Sequence, residues 1–303
     1  MHFDLPDLRL LVHMAESGSL TRGASNSHLS AAAASARLKA LEQQVGGRLF
    51  YRDNRGVTIT PLGERLLRHA RIILRQVDHA KSEISEFTGD DAGHVRIFAH
   101  TTAASEVMPQ VLASFMATRR QVTVDLQERL KKDILRGVLE GTTDLGLVAG
   151  PIAPADYQII PWTRDRMVLV TQPDHPLATN RKITFSDIAK HPIVALHDSS
   201  SYTEFLWELG SEAHVPLNIR TQMRSFDAMC KMIEAGVGIG LVPEGPARRY
   251  QKSMRIQLVP VEEVWAERAR SIVVRDIDAL PGCARALIRH ILDSSMQAPV
   301  TTT

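Results

Sequence analysis

The sequence is poor in cysteine, in aromatic residues and in long apolar runs. Its two cysteines, Cys230 and Cys283, are too few for a disulfide framework or a zinc site. No apolar run approaches the ~18 residues that a membrane-spanning helix needs. The chain begins with acidic rather than basic residues, which is unlike a secretion signal. The composition therefore favours a cytoplasmic protein with no membrane partner.

Catalytic motifs are also lacking. The sequence contains no G-x-S-x-G, no Walker loop and no H-E-x-x-H. The glycine-rich stretch 236–240 follows a predicted helix and leads into a predicted strand, which is the reverse of the order in a dinucleotide-binding loop. We therefore interpret it as a tight helix-to-strand turn. The sequence predicts no enzyme, no cofactor and no metal site.

Positive charge is concentrated at one end of a chain that is long enough for two parts. The 303 residues exceed a usual domain of roughly 100–200 residues. Residues 1–75 contain 11 lysines and arginines against 6 acids, whereas the remaining residues contain 25 against 28. A basic head beside a mildly acidic body predicts phosphate contacts for the head and a different task for the body.

Residues 19–63 predict a helix-turn-helix followed by a small wing. Ser19 and Ser30 are placed to cap two successive helices, with a turn at 26–28 between them. Glycines at 46 and 47 end the second helix, and the segments 49–52 and 57–59 can pair as strands around a turn at 53–56. The apolar face of the second helix consists of Ala34, Leu38, Leu41 and Val45.

The second helix begins with side chains small enough to approach a DNA groove closely. The candidate base-contacting residues are Ser30, Ala31, Ala33, Ala34 and Ser35. The candidate phosphate-contacting residues are Arg37, Lys39, Arg52 and Arg55. Alternatively, Ala31–Ala36 is only a good helix former. The turn, the caps and the wing together favour binding to double-stranded DNA.

A long helix is predicted to follow from Thr60-Pro61, which suits a helix start. Its apolar positions recur at alternating spacings of four and three: Leu66, Ala70, Ile73, Val77, Ala80, Ile84 and Phe87. That 3.5-residue period is typical of a helix that pairs with another helix. The alternative is a helix packed on its own domain, but no other helix lies nearby in sequence. We therefore predict a dimerising linker helix over residues 61–89, with a hinge at 89–93.

The body alternates predicted strands and helices, which indicates a mostly parallel sheet. The first series comprises strands near 94–99, 122–126 and 144–148, with helices opening near Pro109 and spanning Lys131–Glu140. The second series comprises strands at 167–171, 193–196, 218–223 and 238–242, with helices near 185–189, from Ser201 and over 227–235. A strand at 271–274 and a helix at 283–292 come last.

Ligands of such sheets lie at the carboxyl ends of strands, near helix N-termini. The candidate effector-binding residues at these points are His100, Thr101, Thr102, His197, Ser199, Ser200, Ser201, Arg224 and Phe226. Hydroxyls at helix starts and Arg224 suit a small carboxylate or dicarboxylate. The alternatives are plain helix capping and a solvated surface charge. Aromatic residues are only 5% of the chain, so a stacked aromatic effector is less favoured, although Phe226 or Trp162 can supply a ring.

The chain resembles the LysR-type transcriptional regulators along nearly its whole length. In the head the resemblance rests on Asp7-Leu8, Ala15-Glu16, Gly18-Ser19-Leu20-Thr21, Ala24, Leu29-Ser30, Arg37-Leu38, Leu41-Glu42, Leu49-Phe50, Arg52, Thr60-Pro61 and Gly63. In the body it rests on Gly93–Ile97, Met108-Pro109, Leu139-Glu140-Gly141, His175–Ala178, Gly236–Gly240 and Val242-Pro243. The sequence departs from the family at Gly23, where alanine is usual, at Ala31-Ala32, where Gln-Pro is usual, and at Gln121, where proline is usual.

The resemblance implies an α/β fold with an N-terminal all-α winged helix-turn-helix. The body would be an effector-binding pair of Rossmann-like α/β lobes, similar to periplasmic binding proteins and joined by two crossing strands. We expect a DNA-binding domain at 1–60, the linker at 61–89 and the body at 90–303, with lobe I at 93–163 plus 269–303 and lobe II at 164–268. The implied function is ligand-responsive transcriptional regulation by a dimer or a dimer of dimers. The alternative is a small-molecule-binding α/β domain of transport or metabolic type.

Overall fold

The computed structural model describes residues 3–53, 56–87, 93–179 and 183–297. The chain divides into two compact units, one made mainly of residues 1–90 and one made mainly of residues 91–303. Each unit has its own apolar core. In the described ranges, no helix is both long enough and apolar enough to cross a membrane.

The first unit has the winged helix-turn-helix that residues 19–63 predict. Its elements are α1 (Leu5–Ser17), α2 (Leu20–Asn26), α3 (Ala31–Val45), β1 (Phe50–Asp53), β2 (Gly56–Ile59) and α4 (Pro61–Phe87). Ser19 and Ser30 cap α2 and α3 as predicted, because their hydroxyl oxygens accept bonds from backbone N–H groups in the first turn of each helix. In the turn His28 has a φ of 55°, and Gly46, with a φ of 75°, ends α3. The wing strands pair antiparallel.

The start of α4 packs on α1, which corrects one premise of the linker prediction. Leu67 and Ala70 of α4 are 7% and 0% exposed, and they belong to the same core as α1 and α3. From the sequence we placed Ala70 on the apolar stripe that faces another chain, because no other helix lies nearby in sequence. In the structure, however, α1 contacts this part of α4. Further along the helix, Ile73 is 38% exposed and Ile84 is 65% exposed. Among the described side chains, the exposed apolar residues of the stripe therefore lie in its later part. The predicted hinge at 89–93 lies, except for Gly93, outside the described residues.

The second unit begins with the predicted βαβαβ series. Its elements are β3 (Gly93–Ala99), α5 (Met108–Thr118), β4 (Val122–Glu128), α6 (Lys131–Glu140) and β5 (Leu145–Ala149). β3 lies between β4 and β5 and is parallel to both. A π-helical turn at Ala103–Val107 leads into α5. The carboxyl end of β3 therefore opens directly onto residues 100–107.

Two long strands join the lobes of this unit. They are β6 (Gln158–Thr171) and the strand Glu267–Val274, which run antiparallel to each other. Between them come α7 (Phe185–Ala189), β7 (Ile193–Leu196), α8 (Ser201–Glu212), β8 (Ile219–Met223), α9 (Phe226–Glu234), β9 (Gly240–Pro243), α10 (Glu244–Gln251) and β10 (Gln257–Pro260). Strand Glu267–Val274 is β11, and α11 (Gly282–Gln297) follows it.

Separate cores confirm that the body has two lobes. The end of β6 pairs with β9 and β10, and β7 pairs parallel with β8, around one core. β11 also pairs with β5, so its other end belongs to the sheet of β3 and β4 and to a second core. Cys230 is fully buried in the core of lobe II, and this burial raises the pKa of its thiol to about 12. It therefore behaves as a small apolar side chain.

Strand β6 is much longer than the sequence predicts. The predicted strand covers only 167–171, whereas β6 begins at Gln158. Residues 158–166 contain Pro161 and three charged side chains in succession, and their burial does not alternate cleanly. The strand forms because β11 pairs with each of these residues except Trp162. α10 and β10 were likewise not predicted.

Gly23 brings α2 close to Met14 of α1, and it provides a test of the head's packing. A Cβ atom at this position would lie 2.8 Å from Cα and 2.9 Å from N of Met14. Alanine is a better helix former by ~1 kcal/mol, but the backbone of α1 cannot move aside cheaply. We expect Gly23→Ala to destabilise the helix pair by about 1–3 kcal/mol, seen as faster hydrogen exchange of the α1 and α2 amides in the whole chain.

Gly245→Ala is the matched control, because nothing lies within 4 Å of a Cβ atom at that position. Exchange in α1 and α2 should be unchanged in this variant. If the α1 and α2 amides of Gly23→Ala exchange as slowly as those of the unchanged protein, the close approach of α2 to α1 is contradicted.

Candidate DNA-binding and effector sites

Helix α3 presents most of its small residues to solvent at its first turn. Ser30, Ala31 and Ala33 are exposed, and Ser35 is half-buried. Ala34 is fully buried in the core of the head, so its methyl group is not available to a base. The inclusion of Ala34 among the base-contacting candidates was therefore wrong, because this position belongs to the apolar face that also carries Leu38.

Arg37 is directed onto the N-terminus of α1. Its Nη1 donates to Asp7 Oδ1 at 2.7 Å and to Asp4 Oδ1 at 3.0 Å. The bond from the backbone N–H of Asp7, together with Arg37, lowers the pKa of Asp4. Two carboxylates already surround this guanidinium, so it has less charge to offer a phosphate than the sequence suggests. Lys39 and Arg52 are exposed, whereas Arg55 lies outside the described residues.

Glu42 fixes the wing against the recognition helix. Its Oε1 accepts bonds from the backbone N–H of Leu49 at 2.8 Å and of Phe50 at 3.4 Å. Thr60 closes the far side of the wing, since its hydroxyl donates to the carbonyl of Arg48 at 2.8 Å. Arg48 itself is exposed beside β1 and was missed as a candidate phosphate contact. Its position directly before the first predicted wing strand could have identified it as a candidate.

In the body, the structure brings together two predicted effector residues from different lobes. The backbone N–H of Thr101 donates to Ser201 Oγ at 2.9 Å, and the two hydroxyl oxygens lie 3.0 Å apart. The Thr101 hydroxyl also donates to Glu128 Oε1 at 2.6 Å. Glu128 was missed as a candidate effector residue. It is the last residue of β4, just as Ala99 is the last residue of β3. Its carboxylate makes this position unfavourable for a second negative charge.

The hydroxyls around the start of α8 serve mostly local bonds. Ser200 is fully buried and caps α8, since its oxygen accepts from the N–H of Thr203 at 3.1 Å. His197 Nδ1 lies 2.9 Å from Ser199 Oγ. These bonds correspond to the capping alternative that the sequence left open. They do not prevent the exposed side of Ser199 from meeting a ligand.

The remaining predicted residues lie apart from this contact. Phe226 is 1% exposed and packs edge-on against Tyr202 in the core of lobe II, at a ring distance of 5.5 Å. Its ring is therefore not available to stack on an effector, which corrects its inclusion as a candidate. Arg224 is exposed just before α9. Thr102 is 2% exposed, and its side chain makes no capping bond to the turn that follows.

A buried ionic centre, missed from the sequence, lies on the two crossing strands. Asp165 of β6 stands opposite Arg268 of β11 in the strand register. Arg268 donates to both carboxylate oxygens, at 3.0 and 2.6 Å, and Arg270 Nη2 donates to Oδ2 at 2.5 Å. The three side chains are only 8–9% exposed. Two cations therefore share one anion, which leaves an excess positive charge inside the body.

The charges of this centre act on one another and on His100. Burial by itself raises the pKa of Asp165, but the attraction of Arg268 and Arg270 outweighs it and lowers that pKa overall. His100 is 4% exposed, and burial, followed by repulsion from Arg270 and Arg268, lowers its pKa well below the ordinary 6.5. The imidazole is therefore neutral at physiological pH. Among the described residues, none is hydrogen-bonded to its Nε2.

A winged helix-turn-helix beside a two-lobed ligand-binding body defines a DNA-binding regulator. Two family models match the chain accordingly. One, described as a bacterial regulatory helix-turn-helix protein of the lysR family, matches residues 5–64, and the other, the LysR substrate binding domain, matches residues 88–295. The chain belongs to the LysR family of transcriptional regulators, as its resemblance predicted. This is a family of regulators, not of enzymes.

Similar proteins carry the same combination. The HTH-type transcriptional regulator YnfL of Escherichia coli K12 is 27% identical over 266 residues, which cover 87% of this chain and 89% of that protein. A probable RuBisCO transcriptional regulator of Synechocystis is 25% identical over 297 residues, which cover 96% of this chain and 86% of that protein.

Solved structures show the same fold. A full-length OxyR variant of Pseudomonas aeruginosa has a TM-score of 0.72 at 21% identity, covering 99% of this chain and 100% of that one. CbnR in complex with its target DNA has a TM-score of 0.63 at 18% identity, covering 96% and 100%. The effector binding domain of QuiR in complex with shikimate has a TM-score of 0.53 at 17% identity, covering 68% and 99%. At these identities the likeness concerns the fold.

The ionic centre gives a stability prediction. Asp165→Asn leaves two buried guanidiniums without their carboxylate, so we expect the body to lose about 3–5 kcal/mol of unfolding free energy near neutral pH. The pKa of Asp165 is lowered, so its contribution is complete above the ordinary value of 3.8 and is lost as the pH falls below it. Urea unfolding at several pH values measures both effects.

Asp174→Asn is the matched control. Asp174 pairs with Arg255 at 3.7 Å, and both side chains are 79% exposed. A surface pair of this kind contributes about 0–1 kcal/mol. Equal stabilities of the two variants would show that the buried centre contributes no more than a surface pair.

Proposed function

We propose that this regulator binds operator DNA through α3 and the wing, and that a small carboxylate-containing effector bound between the lobes of its body controls it. The proposal of a carboxylate-containing effector rests on the excess positive charge of Arg268 and Arg270 over Asp165. A buried cation without full compensation is costly, and an anionic ligand relieves that cost. The proposal that the protein recognises DNA rests on its membership of the LysR family.

The proposed base contacts lie at the start of α3: the exposed Ser30, Ala31 and Ala33 and the half-buried Ser35. Ala31 and Ala33 offer methyl groups to thymine methyls, and Ser30 and Ser35 offer hydroxyls to base edges. The proposed phosphate contacts are Lys39 and Arg52, with Arg55 proposed from sequence alone and Arg37 less favoured because of its two carboxylate partners. Phosphate contacts position the head, whereas base contacts select the sequence.

We further propose that the chain acts as a dimer or a dimer of dimers in the cytoplasm, where its DNA lies. Regulators of this family act as oligomers. The later part of α4 supports the dimer, because Ile73 and Ile84 keep large apolar side chains exposed there. Two-fold symmetry in the protein favours a partly palindromic operator.

The effector is proposed to lie where the lobes meet. Thr101 and Ser201 already bridge the lobes by hydrogen bonds, and Thr102 lines the same cavity as Arg270 of the ionic centre. A ligand that changes this junction favours one arrangement of the lobes over another and thereby changes the affinity for DNA. The fold is compatible with a small bound molecule, since the effector binding domain of QuiR was solved in complex with shikimate.

Arg52 and Ser35 give a test that separates positioning from sequence selection. Arg52→Ala should weaken binding to all sequences and reduce the slope of affinity against salt by roughly one, because one phosphate contact is lost. Ser35→Ala should instead change which bases are preferred. Fluorescence anisotropy on the DNA upstream of its own gene, at several salt concentrations, measures both.

Arg289→Ala, at an exposed arginine of α11, is the control and should leave affinity and salt slope unchanged. A changed base preference with an unchanged slope in Arg52→Ala would reverse the two roles.

The effector proposal predicts that Thr102→Val weakens ligand affinity. A thermal-shift screen of carboxylates identifies the ligand, since about 2.7 kcal/mol of stabilisation is expected at 100-fold above Kd. Loss of one bond to a charged group should then weaken binding about ten- to a hundredfold by calorimetry on the full chain. Thr118→Val, at the exposed end of α5, is the control. Unchanged affinity in Thr102→Val would locate the effector elsewhere.

A further inference from the structure

A cavity of about 890 Å³ lies between the two lobes, against one face of the crossing strands. Lobe I contributes α5 and α11 to its wall, lobe II contributes the start of α10, and β6 and β11 form its floor. The size is that of a typical small-molecule site. Of the candidate effector residues, Thr102 alone lines it, so the cavity is distinct from the contact between Thr101 and Ser201.

The acidic residues of the wall are all paired with arginines. These ion pairs are Glu106 with Arg249, Glu244 with Arg248, Glu267 with Arg166, and Asp165 with both Arg268 and Arg270. The pair of Glu106 and Arg249 also joins lobe I to lobe II. Pairing therefore cancels charge around the cavity except at Asp165, where one arginine is in excess, and at Arg164, which also lines the cavity and has no ion pair among the described residues. An anionic group is favoured at that end of the cavity.

Two residues that line the cavity, Arg270 and Trp162, each carry a buried donor. Arg270 Nε and Trp162 Nε1 have no hydrogen-bond partner among the described residues, and the Arg270 side chain is only 9% exposed. Strand pairing places Arg270 opposite Thr163 and Ser271 opposite Pro161, so Trp162 is the extra residue of a bulge. Bulges redirect side chains. An unpartnered buried donor is unfavourable, and an acceptor on a ligand removes the penalty.

Apolar side chains also line part of the cavity. Val107 and Val111 line it beside α5, and Ile291 lines it from α11, among the polar side chains of Gln110, Ser114, Ser294 and Ser295 from the same helices. Val111 and Ile291 also belong to the core of lobe I. A ligand with one charged end and an apolar body can place that body against these three side chains, Val107, Val111 and Ile291.

We propose that the cavity binds a monocarboxylate with an apolar body, whose oxygens accept bonds from Arg270 Nε and Trp162 Nε1. This inference rests on the proposed function, because it locates the carboxylate of the proposed effector and narrows its class. The apolar body lies along Val107, Val111 and Ile291. Bound there, the ligand touches both lobes and both crossing strands at once.

The three tryptophans of the chain allow a direct test by NMR of ¹⁵N-labelled indole groups in the full-length protein. Hexanoate should move the indole N–H signal of Trp162 downfield in a saturable way. Trp265 Nε1 already donates to Glu263 at 2.9 Å and serves as an internal control whose signal should not move. Hexanamide, which has the same body without the charge, should bind at least tenfold more weakly.

Trp162→Phe assigns the signal and keeps the ring packing while removing the donor. We expect it to weaken hexanoate binding about tenfold or more by calorimetry. Trp207→Phe, at a ring that is 48% exposed on α8, should leave the affinity unchanged. Arg270→Lys keeps the charge and removes Nε, and it should weaken binding even if the Trp162 variant folds poorly.

These experiments distinguish a failure of the proposed site from a failure of the proposed function. If carboxylates bind with Trp162 unmoved and with equal affinity in Trp162→Phe and Arg270→Lys, this placement is overturned and the proposed function stands. If sulfate or succinate moves Trp162 as hexanoate does, the apolar ligand class is overturned. If hexanoate, octanoate and phenylacetate leave Trp162 unmoved at about 50 mM, where even a millimolar Kd saturates, the site is overturned. If the carboxylate screen also finds no ligand, the proposed effector class fails with it.

Discussion

The body depends on one antiparallel strand pair, β6 with β11, and on the buried charges that this pair carries. Every covalent route between the lobes passes through these strands. Asp165 and Arg268 face each other across the pair, so their bidentate bond fixes the strand register where the lobes meet. If the strand register slipped by one residue, these charges would be buried without their partners. Apolar residues there would stabilise the junction as well or better, so the charges suggest a requirement for specificity or ligand binding.

The head is organised by a similarly small number of contacts. Glu42 belongs to α3 by sequence, yet its carboxylate accepts backbone N–H groups of the wing. Thr60 closes the wing from the other end and also caps α4, since its hydroxyl accepts from the N–H of Gly63 at 3.0 Å. The recognition helix, the wing and the start of the long helix are therefore held by side chains at the element boundaries. Small changes at these few positions affect the whole DNA-facing surface.

The local signals of the sequence were sufficient for much of this architecture. Caps at Ser19 and Ser30, the stop at Gly46 and the alternation of strands and helices depend on neighbours in sequence, and all were predicted. The charged centre was not, because Arg268 and Asp165 are about a hundred residues apart and look like solvated charges until β6 pairs with β11. The same separation hid Glu128 beside Thr101. Phe226 was misjudged because burial, unlike capping, is decided by the far side of the fold, whereas the burial of Ala34 agrees with the apolar face that the sequence itself predicts.

The alanine-rich start of α3 has a consequence for the thermodynamics of recognition. Alanine has no side-chain torsion to immobilise, whereas a long polar side chain loses up to ~2 kcal/mol of rotamer entropy when it is fixed. If Ala31 and Ala33 are the residues nearest the bases, as proposed, the helix reaches its bound form almost fully ordered beforehand. Discrimination by methyl groups depends on fit over short distances. Errors in the fit of the helix are therefore not absorbed by flexible side chains, and the distortion of the DNA itself becomes part of what is recognised.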